Sequence, residues 1–463
     1  MNTPDDPPQV GSQPASGPVS AGAERTRDRA LWAAMLGMLL DGYDLSIMAV
    51  VLLPLHGAWH LHATETGLLM AMALFGSLLG GLAGGVLTDR FGRRKLLFPD
   101  IFLYIIGALV SALSPDLVLL FLGRFLTGLA IGLDYPLVAT IVAEYSQTAH
   151  RGNRFAWVGL AWYVGALLST GVGWLLLFSG SGSWRWMLGS AVIPALLLLW
   201  VRRDLPESPR WLARRGDTMA AREALMRLHP EYTSADLTTQ LTLFQGSRQP
   251  WRRFLHRAWL RRLLLSLLPW FCLDVVGLGI GLYFPMVLRS NGLVGSDAGA
   301  AAVNAGFLMI SALGIIYVLP RLDRWGRIPL QTAGFGMMSA GLALFALFSW
   351  TGWMAGVYLS AAIYTLGVGI GPGVTVFALA VEIFPTEWRA SAAGLATGLS
   401  RLGAVFSAVL FPIFVKRWGI PLVLVIMAMV ALLGMLATVV YRVESRQRSL
   451  EDLEEVTVPP VGS

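Results

Sequence analysis

The chain has 463 residues, of which 55% are hydrophobic and only 14% charged, and its mean hydropathy is +0.63. A water-soluble protein would carry about 25% charged residues, so a soluble globular class is excluded. The net charge of +7 comes mainly from arginines in short connectors between apolar runs; a membrane protein obeying the positive-inside rule has this pattern, and nucleic acid is not the expected partner.

Residues 1–25 are rich in Pro, Gly, Ser and Ala and predict a disordered cytoplasmic tail. No short apolar core with a small-residue cleavage site follows, so no removable signal peptide is expected. Twelve apolar segments come next, centred near residues 43, 76, 105, 129, 165, 192, 273, 308, 338, 367, 402 and 431. Each is long enough for a hydrocarbon core of about 30 Å. The expected divisions are a six-helix bundle over 26–202, a cytoplasmic linker over 203–257, a second six-helix bundle over 258–443 and a tail over 444–463.

The first segment, 30–55, carries Asp41 and Asp44. A carboxylate at bilayer depth costs about 2.5–3.5 kcal/mol by the lower estimates, so it is read as functional by default. Asp44 is favoured over Asp41, which lies one turn away and is free to take a capping role. His56, His60 and His62 flank the first outer loop, but only Glu65 joins them, so no metal site is expected. After the second segment comes Gly85-x3-Asp89-Arg90-x-Gly92-Arg93-Arg94. Gly85 permits close helix approach. Asp89 can sit at a neighbouring helix N-terminus and accept from an arginine, closing the cytoplasmic side in one state only.

The fourth segment holds Asp134-Tyr135-Pro136. A mid-helix proline removes a backbone bond and opens room for ligand or water. The structural alternative is an aspartate paired with a neighbouring arginine. Central residues 203–257 suggest short amphipathic helices on the membrane surface. The seventh segment, 259–288, carries Trp270, Asp274 and Cys272, the sole cysteine, which rules out an internal disulfide. Asp323-Arg324-Trp325-Gly326-Arg327 follows the eighth segment, with Leu319 where the first copy has Gly85. In the tenth, Gly367-x-Gly369-x-Gly371-Pro372-Gly373 lacks a following Lys-Ser/Thr and predicts helix flexing, not a nucleotide loop. No Walker motif is present, so neither ATP nor any other cofactor is expected. Arg401, in the eleventh, has a planar fork suited to an anion, and the alternative is an internal salt bridge with Asp274 or Asp44.

The halves repeat. Asp89 and Asp323 are 234 positions apart, the motifs Glu144…Arg151 and Glu382…Arg389 are 238 apart, and Asp44 and Asp274 are 230 apart. One near-constant offset predicts two parallel six-helix halves with a site between them. The arginine-bearing connectors and both termini are assigned to the cytoplasm, with Lys416-Arg417 a mild exception.

The Gly85–Arg94 motif resembles the signature loop of the major facilitator superfamily. Pro206-Glu207-Ser208-Pro209-Arg210-Trp211-Leu212 resembles the sequence after the sixth helix of sugar porters. Val443-Glu444-Ser445 and Ser449-Leu450-Glu451 resemble a degraded form of their C-terminal signature. Gly132-Leu133-Asp134-Tyr135-Pro136-Leu137-x-Ala139-Thr140-Ile141, Asp41-Gly42-Tyr43-Asp44-Leu45 and Trp270-Phe271-x-Leu273-Asp274 resemble helices four, one and seven of proton-coupled phosphate symporters. That likeness implies proton coupling by the carboxylates and an anion site lined by Tyr135 and Trp270. Leu278, Trp162 and Arg401 depart from it, standing where that family would have tyrosine, glutamine and lysine. Trp162-Tyr163-Val164-Gly165-Ala166, Trp184-Arg185-Trp186-Met187-Leu188-Gly189-Ser190 and Phe384-Pro385-Thr386-Glu387-Trp388-Arg389-Ala390-Ser391-Ala392 resemble bacterial inner-membrane metabolite transporters.

The expected protein is an all-α, twelve-helix membrane protein of the major facilitator fold. It is a monomer of the cell inner membrane, not an enzyme, and works by alternating access. The favoured cargo is a small anion, phosphate or an organic carboxylate, moved with protons. Asp44, Asp134, Asp274 and Asp41 would couple protons, and Arg401, Tyr135, Trp270 and Trp162 would bind substrate. The gate would be built from Gly85, Asp89, Arg90, Arg93, Glu144, Arg151, Asp323, Arg324, Arg327, Glu382 and Arg389. A neutral sugar or polyol porter is the first alternative, with no need of Arg401. A cationic-drug exporter is the second, supported by the buried aspartates.

Overall fold

The computed structural model describes residues 21–145, 151–180, 182–230, 232–245, 257–290, 294–384, 388–443 and 445. Both tails, apart from their innermost residues, fall outside this set, as do part of the linker and the Ser449-Leu450-Glu451 motif.

Among the described residues, twelve helices are long and apolar enough to cross a membrane. The first six are Glu24–Trp59, Thr64–Phe91, Arg93–Leu113, Leu117–Tyr145, Gly152–Ser179 and Ser183–Arg202. The second six are Trp259–Pro285, Asp297–Val318, Arg327–Thr351, Met354–Glu382, Arg389–Trp418 and Ile420–Tyr441. Every centre expected from the sequence falls inside one of them. Backbone groups in hydrocarbon must bond within their own segment, which is why these apolar runs are helical. Large apolar side chains such as Leu113, Val118, Trp186 and Ile193 are exposed on the outer surface and suit contact with lipid.

Two details of the backbone position the gate. Gly92 and Gly326 turn the two matching connectors with φ of +94° and +89°. A side chain there would be strained, and helix restarts immediately at Arg93 and Arg327. The tenth span breaks at Gly371 into Met354–Ile370 and Pro372–Glu382. That break lies in the glycine-rich stretch read above as flexing. By contrast, the fourth span runs through Pro136 as one helix.

The halves meet closely along the second and eleventh spans. A Cβ on Gly394 would lie 2.4 Å from the Gly81 carbonyl oxygen, and one on Gly85 would lie 2.5 Å from that of Ala390. Gly81-x3-Gly85 faces Gly394-x3-Gly398, and small residues at this spacing let two backbones touch. Between the bundles in sequence lie three short helices, Pro209–Arg214, Thr218–Leu228 and Ser234–Gln245. The Ser208 and Asp217 side chains cap the first two. Ala213, Ala221, Leu225, Leu237, Leu241 and Phe244 give these helices a small core of their own.

Candidate functional site

On the arginine-rich face, each half caps a helix of the other. Asp89 Oδ2 accepts from the Ser391 backbone N–H at 2.8 Å and from its hydroxyl at 2.7 Å, at the start of the eleventh span. Asp323 accepts from the N–H groups of Gly152 and Asn153, both at 3.0 Å, at the start of the fifth. Free N–H groups and the helix dipole favour a carboxylate in both places. Behind these caps are buried ion pairs. Arg93 donates to Glu144 at 2.8 Å, and Arg389 of the other half lies 3.7 Å from the same carboxylate. Arg327 grips Glu382 with bonds of 3.0 and 2.8 Å, and the Ser445 hydroxyl also donates to Glu382. Arg90 and Arg324 are exposed, outside this lock. The side chain of Arg151 lies outside the described residues.

These contacts close the arginine-rich face. Asp89→Ala should loosen it, because charge-assisted bonds are worth about 1.5–3 kcal/mol. The expected result is a rise of roughly tenfold or more in labelling of a cysteine placed at Phe377 and probed from that face. Cys272 would first be replaced, and unchanged labelling would count against Asp89 as a gate.

A cavity of about 200 Å³ lies between the halves. Tyr135, Trp162, Trp270, Asp274, Asn304 and Arg401 are among its polar and aromatic lining residues. Its floor toward the arginine-rich face is a ring cluster drawn from both halves. Tyr135 is 6.0 Å from Trp270 and 6.1 Å from Phe377, and Phe377 is 5.5 Å from Phe155, centroid to centroid. The Arg401 guanidinium lies 4.8 Å over the Tyr135 ring, a cation–π contact across the two halves. Arg401 Nη1 donates to Asp274 Oδ2 at 3.0 Å, and the Ser400 hydroxyl donates to the same oxygen at 2.8 Å. Nε and Nη2 of Arg401 are buried without a partner.

Behind the cavity wall, Asp44 is held by Arg124 in a bidentate pair, at 2.9 and 2.7 Å, and accepts from the Tyr104 hydroxyl at 3.1 Å. Leu45 and Ser46, its chain neighbours, line the cavity, whereas Asp44 does not. Asp134 accepts from Arg202 Nη2 at 2.6 Å, and Arg202 Nη1 reaches Asp100 at 2.9 Å. Asp41 accepts from the Trp162 indole N–H at 3.1 Å.

Residues 30–457 match the family model described as sugar (and other) transporter. The chain belongs to the sugar transporter family. It is 34% identical over 429 residues to YaaU of Escherichia coli (strain K12), a protein named for metabolite transport, covering 92% of this chain and 94% of that one. It is 29% identical over 450 residues to the arabinose-proton symporter of Bacillus subtilis (strain 168), covering 92% and 94%. Among solved structures, the proton:xylose symporter XylE bound to 6-bromo-6-deoxy-D-glucose superposes with a TM-score of 0.84 at 24% identity, covering 94% of this chain and 99% of that one. XylE from E. coli in its inward open conformation gives 0.69 at 25% identity, covering 92% and 98%.

The protein is therefore a multi-pass membrane transporter of the major facilitator fold and not an enzyme. The phosphate-symporter side of the resemblance gains no support from these relatives, which back the sugar-porter alternative better than the expectation of an anion. The geometry brings Tyr135, Trp162, Trp270, Asp274 and Arg401 to one cavity. It sets Asp44 and Asp134 in ion pairs of the first half instead. Sequence reading missed Arg124, Arg202, Asp100 and Tyr104. One signal was available: a buried membrane carboxylate needs a cation, and Arg124 lies inside the fourth apolar segment. Arg202 and Asp100, at segment ends, look like connector residues until the helices are assembled.

Proposed function

We propose that the protein is a proton-coupled symporter of a small, neutral, polyhydroxylated solute, a monosaccharide or polyol. The observation that carries the coupling is the buried Asp44–Arg124 pair set one residue behind the cavity wall. Protonating Asp44 removes half of a bidentate pair and frees the fourth span, which carries Tyr135, to move against the first. Solute held by Leu45, Ser46 and Tyr135 feels that change, so proton and solute binding favour the same rearrangement.

The charge count of the site supports a neutral cargo. Arg401 is already neutralised by Asp274, and Asp41 adds a further acid beside them. An anion would enter a site with no surplus positive charge. The same count weakens the cationic-drug reading, because Asp44, Asp134 and Asp274 each have an arginine partner. A second reading keeps one specific support: the unpartnered Nε and Nη2 of Arg401 offer two donors to an acidic sugar or carboxylate.

Uptake into proteoliposomes under an imposed pH gradient tests the reading, with xylose, arabinose, glucose, phosphate and small carboxylates as labelled solutes. The variant Asp274→Asn/Arg401→Gln, with Asp41→Asn added because that buried acid loses its neighbouring cation, separates the two cargoes. A neutral solute should lose less than roughly tenfold in affinity. An anion would lose about ten- to a hundredfold, the worth of charged hydrogen bonds of about 1.5–3 kcal/mol. Accumulation of phosphate or a carboxylate, with no hexose or pentose uptake, would overturn the neutral reading.

A further inference from the structure

The first half contains a second ionisable cluster, separate from Asp44 and from the cavity between the halves. Arg202, from the end of the sixth span, is fully buried and holds two carboxylates on one fork. Nη1 bonds Asp100 of the third span, and Nη2 bonds Asp134 of the fourth. Neither acid has another ion-pair partner among the described residues. The nearby cations are committed elsewhere, Arg124 to Asp44 and Arg29 to Asp204 and the Val201 carbonyl. Two carboxylates side by side on one buried cation, Asp100 buried and Asp134 mostly so, leave an uncompensated charge, which neighbouring acids relieve by sharing a proton. Gly37 of the first span closes over the cluster; a Cβ there would meet Asp134 Oδ2 at 2.4 Å and Arg202 Nη2 at 2.6 Å.

A small cavity of about 20 Å³ adjoins the cluster. That volume suffices for one water, which needs about 10–15 Å³ by this measure and two or more polar partners. Its lining includes Asp41, Asp100, Tyr104, Asp134 and Tyr135. Asp41 is only 5% exposed, and its Oδ1 has no hydrogen-bond partner. An orphaned, buried carboxylate oxygen on a water-sized cavity that other acids and two tyrosines also line calls for a donor there.

We propose that Asp100 and Asp134 share one proton over Arg202, and that a water in the adjoining cavity links this shared proton to Asp41. In the resting form the cluster is neutral: one carboxylate, one carboxylic acid and one guanidinium. When the acid gives its proton to the water, the water gives one of its own to Asp41 Oδ1. The cluster then carries −1 and Asp41 becomes neutral, so charge moves between the cluster and the residue that holds Trp162 in the cavity wall. The groups facing the route are Asp41 and nearby Asp44 from the first span, Asp100 and Tyr104 from the third, Asp134 and Tyr135 from the fourth, Trp162 from the fifth, Arg202 from the sixth and, toward Asp41, Arg401 of the other half. The cluster thus acts as a proton store on the first half alone, in addition to Asp44.

The test is infrared spectroscopy of the purified full-length protein at neutral pH, read in the carbonyl band of protonated carboxylic acids. It needs no substrate, so its outcome is independent of the cargo and of the coupling role given to Asp44. Asparagine has the shape of a protonated aspartic acid, so Asp100→Asn and Asp134→Asn should fold and should each remove the same band. Asp41→Asn should shift that band through the water, and Asp116→Asn, at an exposed outer loop, should leave it in place. If an asparagine variant does not fold, Asp134→Glu serves instead and should keep the band at a shifted frequency. A carbonyl band unchanged in Asp100→Asn and Asp134→Asn, or unshifted in Asp134→Glu, would overturn the shared proton. Loss of the pair's band with no effect of Asp41→Asn would overturn the water link.

Discussion

Asp44→Asn is expected to abolish uphill accumulation of solute while leaving exchange across the membrane intact. The asparagine imitates the protonated acid permanently, so the step driven by proton binding is lost. Solute contacts at Ser46 and Tyr135 remain, so counterflow with labelled solute inside and out should persist. The partner residue gives the sharper control. Arg124→Leu strands a carboxylate with only the Tyr104 hydroxyl for company. Breaking a buried pair from one side costs about 3–5 kcal/mol, whereas replacing both members is often near neutral. The single Arg124→Leu variant should therefore be markedly less stable to heat than the Asp44→Asn/Arg124→Leu double variant. Full gradient-driven accumulation in Asp44→Asn would remove Asp44 from the coupling mechanism.

Gly394→Leu should have an effect of similar size on conformation. The second and eleventh spans touch backbone to backbone, with Gly394 against Gly81 and Gly85 and with Gly398 against Leu78 and Leu82. A leucine cannot be fitted by turning a side chain, because the obstruction is the Gly81 carbonyl. The spans must separate, and the contact between Asp89 and Ser391 three residues before Gly394 should open with them. Cysteines on the floor of the cavity should then become reactive from the arginine-rich face, and reactivity from the opposite face should fall. Leucine at Gly171, where a Cβ meets nothing within 4 Å, is the matched control. Equal accessibility in the two variants would mean that the seam does not set the closed state.

The gate shows how far sequence repetition reaches. Asp89 and Asp323 stand out because they recur at the same place in two halves, and their connectors turn at matching glycines. That each acid caps a helix of the opposite half is a fact of assembly. The arginine partners show the same limit more sharply. Asp44 and Arg124 are 80 positions apart, and Asp134 and Arg202 are 68 apart. Nothing in either local sequence names the other. The preference for an anion rested on the likeness to phosphate symporters and on Arg401 as an anion ligand, with a salt bridge to Asp274 or Asp44 as the alternative; Asp274 stands 3.0 Å from Arg401, so that positive charge is not a surplus.

The number of spans, the two-fold repeat, the membrane class and the presence of ionisable groups at depth are all legible in the chain itself. Those properties follow from local physics: apolar length against bilayer thickness, the cost of charge in hydrocarbon, and a repeated motif. Tertiary structure alone decided which acid meets which arginine, which side chains face the cavity and which face of the protein is closed. Each of those depends on the rotation and contact of helices distant in the chain, and hydropathy carries no record of them.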